Sequence, residues 1–204
     1  MKHALTIPVL VGLAKFFSGA TVRWVDCQPE PCQRIYYANH TSHLDPLVIW
    51  ASLPWELRAL TRPAAARDYW EKGWLRQHIA GAFNAILIDR QEIKVHASPI
   101  TQILNEIGDK YSLIIFPEGG RSPDGEMHEF KSGLFHLARK RPDVELMPVY
   151  LENMNRVLPR GEVFPVPLLT SITIGPPIWL ERGETKVDFL VRARQSIVRL
   201  RDRS

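Results

Sequence analysis

A chain of 204 residues, 45% hydrophobic and 24% charged, holds enough apolar material for one compact domain with a sizeable core. Its net charge of +4 suits an anionic partner, a membrane surface or lipid phosphate ahead of nucleic acid. Nucleic acid is set aside because the aromatics lie inside apolar runs instead of alternating with Lys and Arg, and Cys27 and Cys32 have neither disulfide framework nor zinc-like spacing and read as reduced thiols.

Residues 4–20 are apolar but interrupted by Pro8, Gly12 and Lys15, short of the roughly 20 uninterrupted apolar residues that span a bilayer. The stretch reads as a helix lying in the membrane interface, with Lys2, Lys15 and Arg23 reaching headgroups. A signal peptide ending at Ser18-Gly19-Ala20 and an ordinary core helix are the competing readings. The division expected is an interface helix over 1–22 and a catalytic domain over 23–204. Within the latter, 35–38 reads as a strand, and Pro46 with the apolar run 47–50 opens a helix. Then come a strand at 57–60, a helix over 69–79 carrying Trp70 and Trp74, and a strand at 86–88. A helix over 97–107, a buried strand at 112–116 and a strand at 145–151 follow. Residues 159–167 read as a proline-rich loop and 171–174 as a late strand. Val187, Leu190, Val191, Ile197 and Val198 recur at helical spacing, flanked by Arg192, Arg199 and Arg203. This alternation argues for one α/β domain.

The first strand runs directly into Asn39-His40-Thr41-Ser42-His43-Leu44-Asp45. A carboxylate beside an imidazole fixes its tautomer and stabilises the imidazolium formed when the base takes a proton. Two other readings stay open at this point. Asp45 before Pro46 has the layout of a helix cap, or of a capping box with Ser42. His40, His43 and Asp45 would make part of a metal site, but no second cluster supplies the remaining ligands, so no metal is expected. The strand at 112–116 ends in Pro117-Glu118-Gly119-Gly120-Arg121-Ser122, where two glycines allow close backbone approach and Arg121 offers a planar fork suited to phosphate. Lys131 adds a cation, and the strand at 86–88 ends in Asp89-Arg90. Three strands thus deliver polar groups at their C-terminal ends, the edge where α/β sheets bind ligands.

Asn39-His40-Thr41-Ser42-His43-Leu44-Asp45 resembles the NHxSxxD motif of the glycerolipid acyltransferases, the PlsC-like group that includes 1-acylglycerol-3-phosphate O-acyltransferase and other lysophospholipid acyltransferases. Ile88-Asp89-Arg90 resembles the second motif of that family and Phe116-Pro117-Glu118-Gly119-Gly120-Arg121-Ser122 the third, FPEGTRS. Met147-Pro148-Val149 resembles the short proline motif. The four stand in the family's order over roughly residues 35 to 150, with one departure: Gly120 takes the place of the usual Thr. The resemblance implies a single glycerol-3-phosphate acyltransferase-like α/β domain with a mostly parallel central sheet flanked by helices. It implies O-acyl transfer from acyl-CoA or acyl carrier protein, as co-substrate without further cofactor, to 1-acyl-sn-glycerol-3-phosphate, giving phosphatidic acid in phospholipid biosynthesis. His40 is then the base and Asp45 its orienting partner. Arg90, Glu118, Gly119, Gly120, Arg121 and Lys131 form the substrate site, with Glu118 positioning Arg121 or the acceptor. Ser42 lacks a G-x-S-x-G elbow, which favours direct transfer over a covalent intermediate. The expected place is the cytoplasmic face of a membrane, peripheral or monotopic. The alternatives are another lysolipid acceptor, or a thioester or lipid hydrolase using the same pair. Arg90 and Arg121 count against the hydrolase, which needs no phosphate clamp.

Overall fold

The residues Arg34–Ala38 are buried without exception (β2), the condition of a strand covered on both faces. In the computed structural model, which describes residues 5–19, 21–89, 98–122, 125–154 and 170–203, this strand lies at the centre of a seven-stranded sheet. The others are β1 (Thr21–Trp24), β3 (Thr61–Ala66), β4 (Ile86–Ile88), β5 (Ser112–Ile115), β6 (Glu145–Glu152) and β7 (Ser171–Ile174). Their order is β1-β7-β6-β2-β5-β3-β4, and every pairing is parallel except β6 with β7. The mostly parallel sheet flanked by helices is therefore as expected.

Side chains alternate across the sheet. Tyr36 and Ala38 join a cluster with Leu10 and Ala14 of α1 (Thr6–Ser18), the apolar residues of α2 (Asp45–Ser52), and Ala80 and Ala82 of α5 (Trp74–Ala82). Ile35 and Tyr37 join the opposite cluster, with Ile103 and Ile107 of α6 (Pro99–Ile107), Leu134 and Leu137 of α7 (Gly133–Lys140), and Phe189, Ala193 and Ile197 of α8 (Lys186–Arg201). Each fully buried Leu or Ile in these layers contributes about 1.5–3 kcal/mol.

Two expected elements differ. Residues 57–60 are not a strand: α3 occupies Trp55–Ala59, and the strand begins at Thr61. Pro63 and three alanines make β3 a poor strand by propensity, yet it lies inside the sheet. Pro63 falls where the strand changes neighbours, since 61–63 pair with β5 and 64–66 with β4. The single helix expected over 69–79 is two, α4 (Arg67–Trp70) and α5, separated at Gly73, whose φ of 86° no helix accommodates. β1 was not foreseen, and it begins inside the 1–22 segment. α1 itself buries Leu10 and Ala14 while Val9 and Leu13, and Leu5 just before it, stay exposed. No helix among the described residues is long and apolar enough to cross a membrane. Arg90 and the 159–167 loop lie outside the described residues.

Candidate active site

The loop between β2 and α2 is organised around one carboxylate oxygen. Asp45 Oδ2 accepts from the backbone N–H of Thr41 at 2.8 Å and of Ser42 at 2.9 Å, and lies 2.9 Å from His40 Nδ1. Asp45 is wholly buried. An oxygen already accepting two N–H bonds is the acceptor in the third as well. The His40 proton therefore sits on Nδ1, and Nε2 is left as the basic nitrogen. Asp45 is not the N-cap of α2, which is Leu44 without a side-chain cap; of the capping box only one half is present, Asp45 accepting from Ser42 N–H, and Asp45 holds His40 as well. Ser42 is fully buried, its hydroxyl accepting from Leu44 N–H, which removes it as a surface nucleophile. His40 is further held by stacking on Phe116, with ring centroids 4.1 Å apart and planes at 24°. His43 lines the same cleft but is not held by Asp45; it stacks on Tyr69 at 3.7 Å. Among the described residues no three His, Cys, Asp or Glu side chains gather as a metal site.

The loop after β5 clamps the same residue. Glu118 Oε1 accepts from His40 N–H at 2.8 Å and Oε2 from His128 N–H at 2.9 Å, while Ser122 N–H donates to His40 O at 2.8 Å. Burial pushes the Glu118 carboxyl above the usual carboxylate range, against the pull of those two N–H bonds. Glu118 thus braces the backbone of His40; of its two expected roles, positioning Arg121 or the acceptor, no contact with Arg121 is found among the described residues. Asn39 does similar work on the other side, donating to Leu151 O and accepting from Leu151 N–H.

A cleft of about 720 Å³ opens above these loops at the C-terminal ends of β3, β4 and β5. His40 lines it together with Gly119, Gly120, Arg121 and Lys131. Gly119 has φ 71°, and a Cβ there would fall 2.8 Å from Lys131 Cδ, so the lysine stem lies directly across the glycine. Gly119 N–H is already committed to Phe116 O at 3.0 Å. The Gly120 amide has no such acceptor among the described residues, and a Cβ on Gly120 would meet open space. Neither the Arg121 guanidinium nor the Lys131 ammonium has a protein hydrogen-bond or ion-pair partner among the described residues, although both face a shared cleft. The rest of the lining is largely apolar, with Ala64, Ala66, Ile88, Ile100, Ile103 and Leu134 among it, and also includes Asp68 and Asp89.

Of the expected site residues, the structure brings together His40, Asp45, Glu118, Gly119, Gly120, Arg121 and Lys131; Arg90 lies outside the described residues. A family model described as Acyltransferase matches residues 26–152, the stretch that holds every one of these groups. The chain belongs to that family. It is 28% identical over 173 residues to a 1-acyl-sn-glycerol-3-phosphate acyltransferase of Limnanthes douglasii, covering 83% of this chain and 59% of the relative. It is 28% identical over 130 residues to a probable 1-acyl-sn-glycerol-3-phosphate acyltransferase of Mycoplasma pneumoniae, covering 63% and 48%. The chain therefore spans roughly half to six tenths of these relatives' lengths. The crystal structure of the 1-acyl-sn-glycerophosphate (LPA) acyltransferase PlsC from Thermotoga maritima superposes with a TM-score of 0.77 at 19% identity, over 96% of this chain and 78% of that one, a likeness of fold.

Sequence reasoning placed Phe116 and Asn39 inside motifs but missed what each does, and it missed the alanines of β3. Phe116 was legible as the end of an apolar strand and the first residue of the third motif, but nothing in its neighbourhood marked it as the platform for an imidazole. The alanines carry a signal in retrospect, since three small residues in one strand leave room above the sheet.

Proposed function

We propose that this protein transfers a fatty acyl group from acyl-CoA or acyl carrier protein to the free hydroxyl of 1-acyl-sn-glycerol-3-phosphate, giving phosphatidic acid, at the surface of a membrane. The observation that carries this reading is that one cleft holds an oriented imidazole, two cations with no protein partner among the described residues, and a largely apolar remaining lining. His40 Nε2 takes the acceptor's hydroxyl proton as its oxygen attacks the thioester carbonyl. The tetrahedral intermediate then expels the thiolate, which receives that proton from the imidazolium. General-base help of this kind is worth roughly 10²–10⁴-fold. The Gly120 amide is the backbone donor free to meet developing negative charge. Arg121 and Lys131 hold the acceptor phosphate, Arg121 through its bidentate fork. A hydrolase would put water in place of the acceptor and has no use for the two cations.

The test is a purified-protein assay with one acyl-CoA and paired acceptors, 1-acylglycerol-3-phosphate and 1-acylglycerol, for wild type and Arg121→Lys, with products resolved by mass. Wild type should prefer the phosphorylated acceptor, and the variant should lose much of that preference while keeping turnover of the neutral one. Free fatty acid as the main product with either acceptor overturns the transferase reading. Unchanged discrimination in Arg121→Lys removes Arg121 from the phosphate site.

A further inference from the structure

Consecutive residues of the loop after β2 face different spaces. His40 lines the cleft over the ends of β3, β4 and β5, while Asn39 and Thr41 line a second cavity, of about 230 Å³, over the ends of β2 and β6. Ile197, Val198 and Arg201 of α8 form another side of it. This cavity is rich in donors that have no acceptor. Thr41 Oγ1 is buried and without a partner among the described residues. The Tyr150 phenol and the Asn153 side-chain amide likewise make no hydrogen bond among them. Within the same set Arg201 meets Asp202 alone, at 3.5 Å. Arg194, two turns back on the same side of α8, gives one nitrogen to Met127 O and leaves its buried Nε unpaired. Folded proteins leave few buried donors unmet, and a cluster of them around a cavity marks a place for a ligand rich in acceptors.

We infer that this cavity seats the phosphopantetheine arm of the acyl donor, the group shared by coenzyme A and acyl carrier protein. The inference rests on the acyl-transfer reading and adds the donor's seat to it. Arg201, the Tyr150 phenol and the Thr41 hydroxyl take the phosphate oxygens. A bare anion is the poorer occupant, because Glu126 and Glu152 share the lining and repel it. Next to its phosphate the arm carries a dimethyl-substituted carbon, a hydroxyl and an amide, which match the rest of the lining. Ile197 and Val198 meet the methyl groups, a carboxylate accepts from the hydroxyl, and Asn153 pairs with the amide. The two phosphates of the reaction then lie on opposite sides of the His40 loop, the acceptor's at Arg121 and Lys131 and the donor's at Arg201. Keeping them apart spares the site two like charges in one space.

Calorimetric titration of the full-length protein with phosphopantetheine, pantetheine and inorganic phosphate, with no acyl group and no acceptor present, reads the site directly. Phosphopantetheine should bind at least about tenfold more tightly than either fragment, the usual size of a hydrogen bond to a charged group. Arg201→Gln should remove that advantage, and Tyr150→Phe should reduce it. Arg199, an exposed arginine of α8 outside the cavity, is the control, and Arg199→Gln should leave the advantage unchanged. All variants should keep the wild-type thermal midpoint. In turnover, Arg201→Gln should raise KM for whichever of acyl-CoA and acyl carrier protein, run side by side, wild type uses. The same variant should change little with acyl-pantetheine, and the acceptor KM should stay as it was. Equal binding of phosphopantetheine and pantetheine by wild type overturns the inference, as does an advantage that survives Arg201→Gln. Inorganic phosphate bound as tightly as phosphopantetheine makes this a general anion site and overturns it too. So does loss of the advantage in Arg121→Lys in place of Arg201→Gln, which moves the donor phosphate into the cleft. Release of free fatty acid with the binding pattern intact overturns acyl transfer and leaves the seat standing, so the two failures are told apart.

Discussion

Two polar parts of the cleft, His40 and the pair Arg121 and Lys131, are built on opposite plans. Around His40 each contact is made by the protein itself: Asp45 holds the ring, Phe116 stacks on it, and Glu118 and Ser122 grip its peptide from either side. Around Arg121 and Lys131 the positive heads face the cleft with no protein acceptor among the described residues. The base must be placed to within a fraction of an ångström before substrate arrives, because proton transfer depends steeply on geometry. A phosphate brings its own acceptors, and pairing the cations beforehand would only have to be undone on binding. Under the proposed function, the contrast teaches that the His40 part of the site is preorganised and the cation part is completed by the acceptor phosphate.

The comparison breaks most clearly at the base. His40→Ala should lower kcat by roughly 10²-fold or more with KM for the acceptor little changed. His43→Ala, which removes a stack on Tyr69 and leaves the Asp45-held imidazole in place, should cost far less. Steady-state kinetics on the two variants checks this, and equal losses would show that the proton chemistry is not confined to the braced His40.

A smaller effect is expected at the brace. Glu118→Gln leaves one oxygen to serve two N–H groups, so either His40 or His128 loses its acceptor. Activity should fall by about tenfold or more through misplacement of the base, by the sensitivity of catalysis to small displacements. The same variant has a pH signature. The raised pKa of Glu118 means that the folded chain binds its proton more tightly than the unfolded chain, whose value is near 4.5. This group's contribution to stability is most favourable below the unfolded value. It declines as pH rises towards the folded one, and is a constant cost above both. Thermal midpoints measured across that window should lose this component of their slope in Glu118→Gln.

The smallest effects separate the two glycines of the cation part. Gly119→Ala meets the Lys131 stem and must adopt φ 71°, so it should displace that cation and weaken acceptor use, with a strain cost on the order of 1–2 kcal/mol. Gly120→Ala meets nothing and should stay within about 0.5 kcal/mol of wild type in stability. Acceptor KM and chemical denaturation on both variants test the difference. Equal tolerance at the two positions would show that the Lys131 stem is free to move aside.

Much of this was legible from residues alone, for identifiable reasons. The strand at β2 and the chemistry after it could be read because five buried residues lead straight into an imidazole and a carboxylate at close spacing. Arg121 and Lys131 were legible as charges next to glycines at a strand end. β3 was not, since its place in the sheet comes from neighbours on both sides that override a proline and three alanines. The break at Gly73 was hidden because apolar spacing continues across it, and only the positive φ ends the helix. The role of Glu118 could not be deduced either. Its partners are backbone amides at His40 and His128, and no side-chain pattern announces a bond to a peptide.

The mutual grip of the two loops has a consequence for how such a site can vary over generations. Loops at the end of an α/β sheet are ordinarily the parts of a protein that lengthen and shorten most freely. Here Glu118 and Ser122, four positions apart on one loop, both reach the peptide of His40 on the other. An insertion between them cannot satisfy both bonds unless the His40 loop shifts to match. The two segments are therefore bound to drift together, and a length change tolerated in one should arrive only with a compensating change in the other.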